Sequence, residues 1–353
     1  MVKHALEALQ YQKDYRTNNR SRTLMNNHLS VYRHPTLTVL IDDSRSFLDS
    51  LAFHMNPHMA RKLFHDPLDA LEWLGHAHAH PADPIHAHSD EQSEFFKRHG
   101  TSIDLDRIHH VALNRQRFDM PSVLVIDYAM PQMNGVEFCQ AVRSLPCKRI
   151  LLTGQADEKI AVDAFNRKLI DRFIRKNDPH ALDRLEAEIT GLQGDFFNER
   201  TSTLKELLSR DIYSFLSDPA VEALAGQLCS RYRFVEYYLF PHPSGILFFD
   251  MHGKASLMVL ETEAGLISHF EVAQDQGAPP ELLTALKSLQ LLPFFSDTDG
   301  MYGASIGHDW LSYCLPPQIC RGRQDYYWAL FDLPPHYLNS PVYSYAEFLR
   351  DRS

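Results

Sequence analysis

The run Val-Leu-Val-Ile-Asp-Tyr-Ala-Met-Pro-Gln-Met-Asn-Gly at residues 123–135 constrains this chain more than any other stretch. Its apolar half has the length and β-branched content of a buried strand, and it delivers the carboxylate of Asp127 at its C-terminal end. A loop with Pro131 and Gly135 follows, then a helical pattern over Val136–Arg143. In open parallel α/β sheets, ligands bind outside the carboxyl ends of the strands, so an acid placed there is placed to work. Other strand patterns end in the same chemistry: Leu37–Ile41 in Asp42 and Asp43, Arg149–Thr153 in its own hydroxyl, and Asp171–Lys176 in an amine. Three acids, a hydroxyl and an amine at successive strand ends make a phosphoryl-transfer site. A carboxylate can carry a phosphoryl group as an aspartyl-phosphate, and the transfer needs mainly positioning and charge neutralisation.

This constellation resembles the receiver domain of two-component response regulators. The matching residues are Asp42-Asp43, Asp127 before Met130-Pro131 and Asn134-Gly135, Thr153, and Lys176 after Phe173-Ile-Arg. The resemblance spans roughly residues 36–190, with one large interruption. It implies a doubly wound, flavodoxin-like α/β domain with a parallel five-stranded sheet. It makes Asp127 the phosphoacceptor and Mg²⁺ the cofactor, with Asp43 and Asp127 as direct ligands, Asp42 holding a bound water and the Ala129 carbonyl completing the protein share. Lys176 pairs with the phosphoryl oxygens as a point charge, Thr153 donates its hydroxyl to one of them, and Phe173 is the aromatic switch. Two residues depart from the pattern. Asn177 stands where the family has a proline after a cis bond, so a trans bond is expected. Gly154 replaces a small residue with a Cβ.

A length of 353 residues predicts two domains, and no stretch approaches the ~18 apolar residues of a membrane span. With no signal-peptide pattern and five scattered cysteines read as reduced thiols, the chain is expected in the cytoplasm. The net charge of −10 opposes a broad nucleic-acid surface.

Four regions follow. Residues 1–35 form a polar N-terminal extension, read either as partly disordered or as an arm that packs on another protomer or on the output domain; 36–179 form the receiver, 180–217 a helical linker and 218–353 an output domain. Within the receiver, residues 75–121 replace what is ordinarily a short loop. Helices are predicted there at Ser93–Gly100 and Ile103–Gln116, the latter with Leu105, Ile108, Val111 and Ala112 on one face. The insertion also holds the His-Ala repeats at His76, His78, His80, His86 and His88, read as a surface loop.

The linker predicts two helices, separate or near-continuous, weakened at Gly191 and Gly194, that could dimerise. The output domain reads as α+β, with an antiparallel meander at Phe234–Phe240, Gly245–Asp250, Ala255–Glu261 and Leu266–Val272. Helices are predicted at Val221–Tyr232, Pro280–Gln290 and Tyr345–Asp351, and a late strand at Tyr326–Asp332. Residues 201–353 hold about ten basic against about eighteen acidic residues, with no helix-turn-helix pattern and no phosphate-binding glycine loop. The chain is therefore expected to be a non-enzymatic response regulator, phosphorylated by a sensor histidine kinase or phosphotransfer protein. Its output is expected to bind a protein or small ligand, by analogy in quorum-sensing regulation, with homodimerisation on phosphorylation. A transcriptional output and a nucleotide-directed enzymatic output are the alternatives.

Overall fold

A computed structural model describes residues 29–79, 105–154, 158–209, 213–298, 300–334, 337–338 and 341–352. The expectations for residues 1–28, for the helix at Ser93–Gly100 and for His80, His86 and His88 lie outside the described residues, whereas His76 and His78, expected in a surface loop, belong instead to a helix that continues to Ala79.

The first elements are β1 (Tyr32–Arg33), β2 (Leu37–Ile41), α1 (Arg45–His54), β3 (Arg61–Phe64) and α2 (Pro67–Ala79). The C-terminal part of the insertion forms α3 (Asp106–His110) and 3-10 turns at Val111–Leu113 and Arg115–Asp119, and leads into β4 (Pro121–Asp127). Then follow α4 (Gly135–Ala141), β5 (Lys148–Thr153), α5 (Glu158–Asn166), β6 (Arg172–Arg175) and the long helix α6 (Ala181–Leu208). A 3-10 turn at Ser214–Ser217 leads to α7 (Pro219–Tyr232), β7 (Phe234–Phe240), β8 (Gly245–Asp250) and β9 (Ala255–Glu261). The chain continues with α8 (Glu263–Asp275), α9 (Pro280–Lys287), β10 (Leu292–Pro293), β11 (Cys314–Leu315), β12 (Gln318–Arg321), β13 (Asp325–Asp332) and α10 (Tyr345–Arg350).

Two sheets organise these elements. The first is five-stranded and parallel, in the order β3-β2-β4-β5-β6. Its central strands β2 and β4 are buried throughout, as their unbroken apolar runs require. Alternate residues feed two cores. Val39, Leu124, Ile126 and Leu151 pack toward α4 and α5, while Leu40, Val123, Val125 and Ile150 pack toward α1 and α6. The second sheet is six-stranded and antiparallel, in the order β1-β7-β8-β9-β13-β12.

Three features differ from the sequence expectation or decide between its alternatives. Leu266–Val272 is not a strand but part of helix α8. The Thr262 hydroxyl caps it by accepting from the Gly265 amide, and Leu266, His269 and Ala273 bury one helical face. The meander instead continues through β13 and the unpredicted edge strand β12. Second, Tyr32–Arg33, expected in the N-terminal extension, pairs with Tyr237 and Tyr238 of β7, so the residues just before β2 belong to the output sheet. Third, α6 runs unbroken across Gly191 and Gly194. Glycine costs about 1 kcal/mol in a helix interior, and burial at both ends of α6 outweighs that. Leu185, Ile189 and Leu192 enter the parallel-sheet core, and Phe196 and Phe197 enter the antiparallel-sheet core.

The C-terminal part of the insertion also belongs to the second core. Ile108, Val111 and Ala112 are buried in it, as their shared face predicted, although the α-helix there is shorter than expected. Arg117 has no side-chain exposure and meets the equally buried Glu236 of β7 through two bonds, Nε to Oε2 at 2.8 Å and Nη2 to Oε1 at 3.0 Å. The backbone carbonyls of Asn114 and Tyr343 accept further bonds from this guanidinium, and the Tyr238 hydroxyl donates to Glu236. The C-terminal helix closes the assembly. The Tyr345 hydroxyl donates to the His58 carbonyl at 2.8 Å and accepts from the Ala60 amide at 3.0 Å.

Removing one partner of a buried pair leaves the other charge uncompensated, at a cost of about 3–5 kcal/mol. Arg117→Met is therefore expected to lower stability by roughly that amount in urea denaturation, and Arg117→Met with Glu236→Leu by less. A double variant no more stable than the single one would show that charge pairing is not what Arg117 contributes.

Candidate phosphoacceptor site

The parallel sheet brings four of the expected residues together at its C-terminal edge. Asp42 and Asp43 follow β2, Asp127 ends β4 and Lys176 follows β6. Ligand atoms of the three acids lie within 4.8 Å of one another. Asp42 and Asp127 are buried and Asp43 is exposed. The Lys176 ammonium bridges the two buried acids, at 2.6 Å from Asp42 Oδ2 and 2.8 Å from Asp127 Oδ1.

The local sequence explains this placement. Ser44 caps α1, its hydroxyl accepting from the Phe47 amide, and the Ser44 amide donates to Asp42 Oδ1 at 2.9 Å. Beyond Asp127, Asn134 and Glu137 form a capping box that starts α4. Gly135 is required there because a Cβ would collide with the Asp127 carbonyl. The Lys176 amide donates to the Thr153 carbonyl, which fixes the lysine beside the end of β5. The Lys176–Asn177 bond is trans, as expected without proline.

Thr153 and Phe173 stand at their expected strand positions but outside the charged cluster. The Thr153 hydroxyl is fully buried and donates to the Ile174 carbonyl at 3.5 Å. Phe173 is half-buried and packs against the core shared by Leu151, Ala161 and Leu169. Ala129 is exposed in the loop after Asp127.

Burial pushes the Asp127 carboxyl above the usual aspartate range, against the opposing pull of Lys176. Burial also works against the Lys176 charge, yet bonds to Asp127 and Asp42 outweigh it and hold its pKa above the ordinary lysine value. The donor set fits a hard divalent cation: all ligands are oxygens, and exposed Asp43 offers an open approach. Both oxygens of Asp42 already accept bonds, one from Ser44 and one from Lys176, which suits a residue that acts at one remove from the ion.

Sequence reasoning missed two neighbours of the cluster. The Phe47 ring lies under the Lys176 ammonium, 4.3 Å from Nζ to the ring centroid. A pocket of about 260 Å³ runs from there between α1 and α6, lined by Phe47, Leu51, Lys176, Pro179, Leu182 and Leu185. The signal was the apolar face of α1, which binary pattern alone assigns to core. The five cysteines are free and buried, with the thiols of Cys139, Cys147, Cys229 and Cys314 pushed up to about 12 by burial, so these four are not nucleophiles.

The family model for the response regulator receiver domain matches residues 82–189. The chain carries a response regulator receiver domain. The match begins after β2 and β3, yet both strands lie in the same parallel sheet as β4, β5 and β6. Over nearly its whole length the chain is similar to the Legionella pneumophila response regulator LqsR. Identity is 28%, coverage is 93% of this chain and 98% of that one, and the TM-score is 0.74. The receiver domain of Francisella response regulator 1452 is matched at 14% identity, over 45% of this chain and 96% of that one, with a TM-score of 0.29. No curated protein matches the chain. Among the described residues, no helix is long and apolar enough to cross a membrane.

Protons and Mg²⁺ compete for the same carboxylates. Because the Asp127 pKa is raised, Mg²⁺ affinity measured by calorimetry should weaken on acidification already above the ordinary aspartate range. Asp43→Ala should lose at least about tenfold in affinity, whereas Lys176→Ala should bind Mg²⁺ at least as tightly as wild type, since the ammonium occupies both buried acids. Equal affinity of wild type and Asp43→Ala would contradict the ligand set.

Proposed function

We propose that this chain is a phosphorylation-controlled response regulator that accepts a phosphoryl group on Asp127. The observation that carries this reading is the Lys176 ammonium seated between Asp127 and Asp42, with Asp43 open beside them. Bound Mg²⁺ would neutralise charge on the incoming phosphoryl group, held by Asp43 and Asp127, with the Ala129 carbonyl as a further ligand. Asp127 supplies the attacking oxygen and Lys176 balances the charge that arrives. Thr153 turns its hydroxyl from the Ile174 carbonyl toward the phosphoryl oxygens, and Phe173 follows into the space released.

The phosphodonor is a sensor histidine kinase or a phosphotransfer protein. We place its docking surface on α1, where Phe53 is 84% exposed and the apolar pocket borders Lys176. A donor histidine must reach Asp127, and this apolar surface borders Lys176, which is bonded to Asp127. The chain acts as a cytoplasmic signalling protein and not as an enzyme. Its antiparallel sheet binds a protein or a small ligand, and the analogy with quorum-sensing regulators names the setting. Phosphorylation favours a homodimer or a rearranged shape, read through α6.

Incubation with acetyl phosphate and Mg²⁺ should label Asp127 alone, mapped by mass spectrometry, and Asp127→Asn should take up none. Undiminished labelling of Asp127→Asn would sink the assignment. Light scattering and small-angle scattering with beryllofluoride and Mg²⁺ should show a change in mass or shape, and an unchanged profile would remove the dimer reading.

A further inference from the structure

We propose that Phe47 is a positioning residue for Lys176, its ring face holding the ammonium between Asp42 and Asp127. The inference rests on the phosphoacceptor reading of Asp127 and adds a residue to it. An ammonium has three donors, and two of those on Lys176 bond to Asp42 and Asp127. The Phe47 ring is its third electrostatic neighbour, at 4.3 Å, inside the ~6 Å range in which a cation is attracted to the negative face of an aromatic ring.

The need for such a residue follows from the loop. Lys176 is the first residue beyond β6, and Asn177 follows it through an ordinary trans bond. No proline ring restricts the backbone there. The lysine side chain keeps 23% of its exposure, so a swing into solvent is open to it. Phe47 closes that option from the side. It stands one turn into α1, whose start is fixed by the Ser44 cap, and the same Ser44 amide anchors Asp42. One helix start therefore orients both a carboxylate and the ring that face the ammonium. The Lys176 stem continues the apolar wall of the pocket beside Phe47, Leu182 and Leu185, so ring and stem support each other.

The test uses the full chain with acetyl phosphate, which removes any role of Phe47 in docking a partner protein. Phe47→Leu keeps apolar volume and loses the ring face, whereas Phe47→Tyr keeps both. Phe47→Leu is expected to lower the maximal labelling rate of Asp127 about three- to tenfold with little change in KM. Its Mg²⁺ affinity should stay equal or tighten, because a loosened ammonium competes less for the acids. Phe47→Tyr should restore the rate to within about twofold. In a Lys176→Ala background, Phe47→Leu should have no further effect on the rate. By NMR, the Lys176 ε-methylene protons should be shifted upfield by the ring in wild type and return toward ordinary positions in Phe47→Leu.

Wild-type labelling by Phe47→Leu, or a penalty that persists without Lys176, would overturn the proposal. So would a joint loss of Mg²⁺ affinity and rate, which would mark Phe47 as packing for α1. If wild type takes no label at Asp127, the phosphoacceptor reading fails instead. The ring-current shift then still decides whether Phe47 holds Lys176.

Discussion

Helix α6 is the constraint on which the rest of the structure depends. Its 28 residues extend about 42 Å at 1.5 Å per residue, and each half is buried in a different core. Leu185, Ile189 and Leu192 complete the parallel sheet, and Phe196 and Phe197 complete the antiparallel one. A helix with both ends buried in this way cannot bend or slide without opening one of the cores. The two sheets are thereby coupled in one relation, so a shift in one core is carried to the other.

Two further connections strengthen that relation, and both enter at the N-terminal ends of the strands that carry the acids. Strand β1 pairs with β7 and leads within a few residues into β2, which ends at Asp42 and Asp43. The Arg117 turn is bonded to Glu236 of β7 and leads directly into β4, which ends at Asp127. A fully satisfied buried ion pair adds little net stability over an apolar contact, yet it admits only one geometry because every alternative strands a charge. The insertion thus has a structural role in its C-terminal part: it is a piece of the second core delivered from inside the first domain. The charged site lies at the opposite edge of the sheet from these connections, with Asp43, the α1 surface and the mouth of the pocket open.

Much of the charged cluster at the sheet edge was legible in the sequence. Asp42, Asp43, Asp127 and Lys176 each follow or end a strand of the parallel sheet, and such a sheet gathers strand ends at one edge whatever the details of packing. The strands β2, β7, β8 and β9 were legible to the residue, because their runs are short, largely apolar and bounded by polar or turn-forming residues. Leu266–Val272 was not. A seven-residue run in which Leu, Ile, Phe and Val alternate irregularly with polar residues suits either state, and the deciding Thr262 cap lies outside it. Strand β1 has only two residues, and no local pattern marks so short an edge. Phe47 escaped because an aromatic on an apolar helix face reads as core until its neighbour is known to be an ammonium.

The sequence by itself determined the chemistry and the parallel sheet: residue type at a strand end is local information, and alternation and turns are written in consecutive residues. The tertiary structure alone decided how the two domains join. The pairing of Tyr32 with Tyr238, the Arg117–Glu236 bond, the Tyr345 contact with Ala60 and the sharing of α6 all link residues far apart in the chain. Burial makes each of those contacts worthwhile, and burial is a property of the folded arrangement, not of any window of the sequence.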